Sequence, residues 1–532
     1  MAEEGNKRLR ENIMKRFIIL ILPIFLFSQD NYQFGSSIRV NDDAAGMHYH
    51  ATTQRSIGCR GDTVYLVWQD NRYGDQLFRQ DRVFFSRSAN AGNTWGPNIM
   101  ISQDLDTLVC GDSHICLDDI GNIYVAYVTQ NQNDNDDDIY FVKSTDGGDS
   151  FTVPIMVNDS ADVRHQKYCS IAVDSSGDNV YVVWQDWRSI EHSIDIYLSR
   201  STDGGVSFLP SVRVNDDDSA YQWYPVIACD ETGQYVYVAW EDYRDTLYGE
   251  NVYFARSTDY GQTFGLNYCV NDTIGTGTTN QRVPSIYYKN NVIYLTWRDE
   301  RDGYCLYFAK STDNGLSFGP NVRVVDDPDA YGYNASITAN DSGLILIVWQ
   351  DNRQYSTYGS DIYFAFSSDS GLSFSQNVLV NDHLGVASAW DWNPSICVNQ
   401  EGQAFVAWSS TRNDPSLTNF DIYVANGTYV GIEETLGRIV LDAIRLDVYP
   451  NPFRHALGIR LSALVNEKVD LRIYDISGRL MKVLGYQRLR ESGHQVIWDG
   501  RDEQGKSVSA GIYFVELVTD GYKEVKKVIK IE

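Results

Sequence analysis

From residue 38 to residue 425 the chain is filled by short runs of alternating apolar and polar side chains, set apart by turns rich in Gly, Asp and Ser. In one unit, residues 170–173 read Ser-Ile-Ala-Val, a Ser-Ser-Gly-Asp turn follows, and residues 180–184 read Val-Tyr-Val-Val-Trp. Residues 195–199 and 211–214 add two more runs before Asn215-Asp216-Asp217. A period of two over four to eight residues predicts half-buried strands, so each unit predicts one antiparallel meander of four strands.

The unit recurs. A Ser-x-Asp-x-Gly-x-Ser/Thr-aromatic turn begins at Ser88, Ser144, Ser201, Ser257, Ser311 and Ser367, in steps of 56, 57, 56, 54 and 56 residues. Its third position is Asn90, Asp146, Asp203, Asp259, Asp313 and Asp369. A seventh unit has runs at 395–398, 404–408 and 421–425, then reads Asn426-Gly427-Thr428 where the turn should fall, and no fourth run follows. The missing strand stands at the other end of the repeat, where Ser37-Ile38-Arg39-Val40-Asn41-Asp42 matches the fourth-strand pattern. The expected architecture is all-β: a seven-bladed β-propeller whose first strand completes its last blade, which leaves only short protected edges.

In this turn the carboxylate can accept backbone N–H bonds, the Gly takes a positive φ and the aromatic ring packs back between blades, so the six residues are assigned a structural role. The motif resembles the Asp-box of the sialidase (BNR-repeat) superfamily over residues 36–427. That resemblance implies a six-bladed alternative. It also implies a carboxylate-binding set of three arginines, a Tyr nucleophile activated by Glu, and an Asp acid/base. The nearest match to its aromatic-Arg-Ile-Pro motif is Gln281-Arg282-Val283-Pro284, followed by Arg301 and Asp302. Gln281 replaces the aromatic, the match falls in the fifth unit rather than the first, and no motif places a Glu beside a Tyr.

Strand direction alternates, so the loops after strands two and four open on one face, opposite the Asp-boxes. On that face five units carry Trp-x-Asp-x-Arg, including Arg188, Arg244 and Arg301. An arginine per blade suits a carboxylate-binding mouth; an Asp–Arg tie between blades explains a repeated motif better. The variable strand 4–1 connections add His48, His50, Trp223, Tyr224, Arg282, Tyr333, Trp390 and Trp392, aromatic and basic groups that suit stacking on sugar rings or peptide side chains. No metal site is expected, because His48 and His50 lack a third ligand in sequence reach. Residues 133–138, Asn-Asp-Asn-Asp-Asp-Asp, read as a solvated turn, with structural calcium as the alternative; no other cofactor is expected.

Composition and charge narrow the partners. With 36 Tyr and 12 Trp but only 12 Pro among 532 residues, the chain suits strands rather than disorder. A net charge of −27 without Lys/Arg clusters excludes nucleic acid. Of eight cysteines, Cys59, Cys116, Cys229 and Cys397 share one strand position and read as buried thiols, while Cys110 and Cys116 are the pair nearest in sequence for a bridge.

Met14-Lys15-Arg16 and the apolar run 17–27 form a signal peptide within residues 1–28, with translation starting at Met14; no later run is long enough to span a membrane. After a linker at 428–445, residues 446–532 resemble the C-terminal sorting domain of type IX secretion substrates. The landmarks are Tyr449-Pro450-Asn451-Pro452-Phe453, Asp475-Ile476-Ser477-Gly478, Trp498-Asp499-Gly500 and Lys526-Lys527. The resemblance implies an immunoglobulin-like sandwich addressed to an outer-membrane export machine. It places the product outside, or on the surface of, a Gram-negative-type bacterium, via the periplasm. The functional expectation is a surface propeller (residues 29–427) that binds glycan or protein ligands. A sialidase-like hydrolase and a structural surface-layer protein are the alternatives, and the balance leans away from an enzyme.

Overall fold

Strands that alternate in sequence are buried on both faces when neighbouring sheets cover each side, and the second strand of each repeat is of this kind. Val180–Asp186 and Val236–Asp242 are buried at every position, more than the half-burial that alternation implies. Tyr181 spends its hydroxyl on the next repeat, donating to Gly233 O at 2.6 Å.

In this computed structural model the described residues are 31–430 and 445–531. Residues 75–80, 104–107, 132–135, 160–164, 189–193, 246–248, 273–278, 354–358, 383–388, 463–467, 489–493 and 519–522, and single positions 218, 329 and 477, are excepted. The leader and most of the linker therefore lie outside them, as does part of the calcium-loop candidate, whose Asp136 to Asp138 open the strand Asp136–Ser144. No helix occurs among the described residues, and none is long and apolar enough to cross a membrane. The chain divides into two compact units, one of them Tyr32–Tyr429.

That unit is a β-propeller. Seven antiparallel sheets follow in chain order, and the innermost strand of each touches the innermost strand of the next, including the last with the first. In the third, Gln166–Val173, Val180–Asp186, Asp195–Ser201 and Val212–Arg213 pair in succession. The last sheet is completed from the other terminus: Ile38 pairs with Val424 and Arg39 with Tyr423, and Val40 N donates to Ile422 O at 2.8 Å. The strand Asn31–Phe34, which the repeat pattern does not announce, joins the same edge. Its Tyr32 is buried, packs at a tilt against Phe364 and Phe366 of the sixth blade, and donates to Gly402 O at 2.6 Å.

The Asp-box turns behave as folding devices. Asp203 Oδ1 accepts from Ser201 Oγ at 2.6 Å and from Ser207 N at 2.9 Å. Gly205 has φ 86°, and a Cβ there would stand 2.5 Å from the Phe141 ring of the preceding blade. Phe208 packs edge-on against the same ring. Asn90 keeps the pattern with a neutral amide, accepting from Thr94 N at 2.9 Å.

All eight cysteines are free thiols. The Cys110–Cys116 bridge is thereby corrected: both lie on the one extended strand Leu108–Leu117. Six residues of strand span about 20 Å, far beyond disulfide reach.

The second unit's strands form two sheets. One has the order Arg445–Tyr449, Leu457–Ser462, His494–Trp498; the other Leu480–Arg488, Lys468–Asp475, Gly511–Val518, Lys523–Lys530. Both contribute to one core around Trp498, Phe453, Ile473 and Val515. The Asn-Pro-Phe landmark ties the start of this unit to its last strand: Asn451 Nδ2 donates to Lys527 O, and Asn451 Oδ1 accepts from Ile529 N, each at 2.9 Å.

Because Tyr32 anchors the closing segment, Tyr32→Ala is expected to cost about 3–5 kcal/mol in denaturant unfolding. A loss below about 1 kcal/mol would show that the segment contributes little to the ring.

Candidate functional site

The register of the innermost strand places chemistry at the propeller axis. In the third to seventh blades its first residue is buried opposite the end of the second strand, and the next two are half-buried, as in Gln166, Lys167, Tyr168; Gln222, Trp223, Tyr224; and Gln281, Arg282, Val283. A bulge follows, and the residue within it has a positive φ in six blades: Asp112 45°, Tyr168 53°, Tyr224 52°, Val283 50°, Asn334 48° and Asn393 50°. Left-handed backbone at a β-branched residue such as Val283 is costly, and strain repeated around one ring marks a position that the surrounding fold holds in place.

These six residues line a cavity of about 260 Å³ together with His114 and Gln69. Tyr168 and Tyr224 meet edge to face at 4.6 Å, and Asn334 Nδ2 donates to Asn393 Oδ1 at 2.8 Å. His114 Nδ1 is buried without a hydrogen-bond partner; burial, and then the Arg55 charge, push its pKa down to about 3, so the imidazole is neutral. The first blade departs from the bulge pattern. Its innermost strand is split into His50–Ala51 and Ile57–Arg60, and the turn between carries Arg55 across the axis. Arg55 Nη1 donates to Ile227 O at 2.6 Å in the fourth blade, and Nη2 donates to Ile286 O in the fifth. Beyond this side chain lies a second cavity of about 750 Å³, lined by Arg55, Cys59, Cys116 and Cys397 among others.

The arginines of Trp-x-Asp-x-Arg do not face this pocket with free guanidiniums. Arg188 Nη2 holds Asp186 at 2.7 Å, its Nη1 reaches Asp159 of the preceding blade at 3.2 Å, and its Cζ lies 3.9 Å from the Tyr197 ring centroid. Trp184 Nε1 donates to the same Asp186 at 2.7 Å. Arg244 repeats this with Asp242 and Asp216, and Arg301 with Asp299 and Asp272. Each is a tie between blades.

Of the other sequence-derived positions, Tyr224 lines the cavity, Trp223, Arg282, Tyr333 and Trp392 stand one residue before the bulge in their blades, and His48, His50 and Trp390 lie elsewhere. Trp390 stacks on Trp392, Tyr333 on Tyr304, and Trp223 meets Trp187 edge to face. His48 Nδ1 lies 2.6 Å from Asp43 Oδ2, and His50 is fully buried. Of the three residues that the resemblance offers for catalysis, Arg282 pairs with Glu250, Arg301 serves the blade tie, and Asp302 accepts from Tyr307.

One blade carries a different acid. Glu241 stands where Gln69, Gln185 and Gln350 stand in other blades. It accepts from Tyr243 Oη at 3.0 Å and from Val283 N at 3.3 Å, and lies 4.0 Å from Arg282. Burial pushes its pKa up to about 7 against the pull of Arg282. The sequence offered no rule for selecting Arg55, Asp112, His114 or Tyr168. The one available signal was the recurrence of glutamine at the start of the inner strand in three successive units, at Gln166, Gln222 and Gln281.

Residues 447–532 match the family model described as the secretion system C-terminal sorting domain. The domain directs secretion to the cell surface or extracellular space by a type IX system. No curated protein sequence matches the chain. Among solved structures, a protein of unknown function from Dyadobacter fermentans is 12% identical, with TM-score 0.46, covering 75% of this chain and 99% of its own. A PL25 ulvan lyase is 11% identical, with TM-score 0.45, covering 75% of this chain and 96% of its own. The Hadza microbial sialidase Hz136 is 13% identical, with TM-score 0.42, covering 67% and 75%. These likenesses are too distant to transfer an activity.

The raised Glu241 carboxyl sets a pH dependence. Between about 4.5 and 7 the folded chain keeps a proton that the unfolded chain releases, so stability falls as pH rises through that window. Glu241→Gln is expected to leave stability at pH 4 nearly unchanged and to raise it by about 1–3 kcal/mol at pH 8, measured by denaturant unfolding. Equal curves for the two proteins at both pH values would refute this.

Proposed function

We propose that the propeller is a secreted or cell-surface glycan-binding module that takes one terminal, uncharged sugar unit into its axial pocket. The observation that carries this reading is the meeting of Tyr168, Tyr224, Asn334, Asn393 and neutral His114 in one cavity of about 260 Å³. Tyrosine faces suit the C–H faces of a sugar ring, and amide and imidazole groups suit its hydroxyls. Rim residues Lys167, Trp223, Arg282, Tyr333 and Trp392 stand one position before the strained ring and extend the contact outward. Charge favours a neutral ligand: Arg282 donates through Nε and Nη2 to Glu250, and Lys167 Nζ lies 3.2 Å from Asp137. The export route in this reading runs through the periplasm and the outer membrane of a Gram-negative-type bacterium.

On a glycan array the secreted chain should retain a defined set of neutral termini. Tyr224→Ala should weaken that binding at least tenfold while the fold melts as before. An array without signal, or binding indifferent to Tyr224→Ala, would end this reading and leave a structural surface role.

One observation favours a hydrolase as the second reading. The Tyr243–Glu241 hydrogen bond beside Arg282 pairs the residue types that the sialidase resemblance implies. In that case a fluorogenic sialoside is turned over and Tyr243→Phe lowers kcat by a factor of about 100 or more; no turnover by the parent chain removes the reading.

A further inference from the structure

The seam where the last blade meets the first differs chemically from the seams that lead into the third, fourth and fifth blades. In the third, fourth and fifth blades the innermost strand begins with a glutamine, and the carboxamide bridges neighbouring blades. Asn215 Nδ2 reaches Gln222 Oε1, and Asn271 Nδ2 reaches Gln281 Oε1, each at 3.2 Å. At the closing seam the same position is His50, opposite Asp70 in the register.

His50 is oriented as a ligand would be. Its Nδ1 lies 2.6 Å from Phe420 O, an acceptor that fixes a proton on Nδ1 and leaves Nε2 as the ring nitrogen facing inward to the carboxylates. That Nε2 is fully buried, makes no aligned hydrogen bond, and faces Asp70 Oδ2 at 3.2 Å and Asp43 Oδ1 at 3.3 Å, with which a protonated ring forms an ion pair. Ligand atoms of His50, Asp43 and Asp421 all lie within 4.8 Å of one another. A tetrahedral ion with bonds of about 2.0–2.1 Å sets its ligands roughly 3.3 Å apart, which matches the His50 Nε2–Asp43 Oδ1 separation.

The carboxylates are held from behind. Asp421 accepts from Asn41 Nδ2 at 2.7 Å, Gly46 N at 3.0 Å and Asn413 Nδ2 at 2.6 Å, with Arg39 Nη1 at 3.3 Å. Asp43 takes Asn41 Nδ2 at 2.7 Å and faces His48 Nδ1 at 2.6 Å. Asp70 is bonded by Trp68 Nε1 at 3.0 Å and Arg72 Nη2 at 2.7 Å. Arg72 also holds Asp42 at 2.6 Å. Four carboxylates around two guanidiniums leave two negative charges; a protonated His50 offsets one, and a divalent cation that displaces the Nε2 proton neutralises both.

We propose that the closing seam is a divalent-metal site of zinc type, with His50 Nε2 and carboxylate oxygens of Asp43 and Asp421 as ligands and Asp70 beside them. The ligands come from three places: the segment after the closing strand, the first blade and the seventh. The ion would therefore fasten the ring at its one discontinuity. A nitrogen ligand and the short separations favour zinc over calcium, which takes six to eight oxygens at longer distances.

The test uses the full secreted chain without a histidine tag, stripped with a chelator and titrated with zinc chloride, with calcium and magnesium chloride in parallel. Expected are one zinc per chain, a rise in melting temperature with zinc, and tetrahedral absorption bands when cobalt(II) replaces it. His50→Gln, which installs the residue of the third to fifth blades, should fold but bind zinc about 100-fold more weakly. If that variant does not fold, Asp43→Asn serves instead. Absence of saturable zinc binding, equal zinc affinity in the variant, or binding of calcium in preference to zinc would each overturn the proposal. Zinc binding is measured without any glycan, so its outcome stands apart from the ligand reading.

Discussion

Ring closure is the constraint on which the remainder of the propeller depends. Seven sheets can bury their strands on both faces only if the last has a neighbour, and that neighbour is reached by pairing Ile38 with Val424, nearly four hundred residues apart in the chain. Closure of so long a loop costs chain entropy that local turns cannot return. Burial of Tyr32 between blades and the backbone ladder along the seventh sheet offset it. The rigid ring in turn holds the bulged residues at the axis in conformations that an isolated strand would abandon.

Two repeated devices divide the labour at the two ends of the blades. On one face, the Asp-box uses a carboxylate to organise its own turn and an aromatic ring to reach the preceding blade. On the other, Trp-x-Asp-x-Arg uses a buried carboxylate to position an arginine whose far end grips the preceding blade. Arginine suits this because its planar fork serves two carboxylates while its face covers a tyrosine. The glutamine-to-glutamate change at Glu241 and the glutamine-to-histidine change at His50 stand out because the repeat supplies neutral counterparts inside the same molecule.

Much of this was legible from residues alone. The box at Ser201 to Phe208 gave the period, the missing strand after Asn426 and the spare one at Ser37 to Asp42 gave the closure, and the recurrence of Asp186 with Arg188 favoured a tie over a binding mouth. Of the axial pocket only Tyr224 was legible, as an aromatic on a strand 4–1 connection. A bulge turns two successive residues out of alternation, so Tyr168 and Tyr224 carry no periodic signature, and Asp112 does not differ in pattern from a turn residue. Arg55 lies in a break of the first inner strand that the repeat does not share. His50 lacked a third ligand in sequence because Asp421 belongs to the other end of the chain.

The side chain of Arg55 makes the axis a blind well instead of a through passage. A polymer cannot thread such an opening; whatever enters from the rim must present an end and withdraw by the same route. The geometry therefore discriminates chain termini from chain interiors before any individual contact is made.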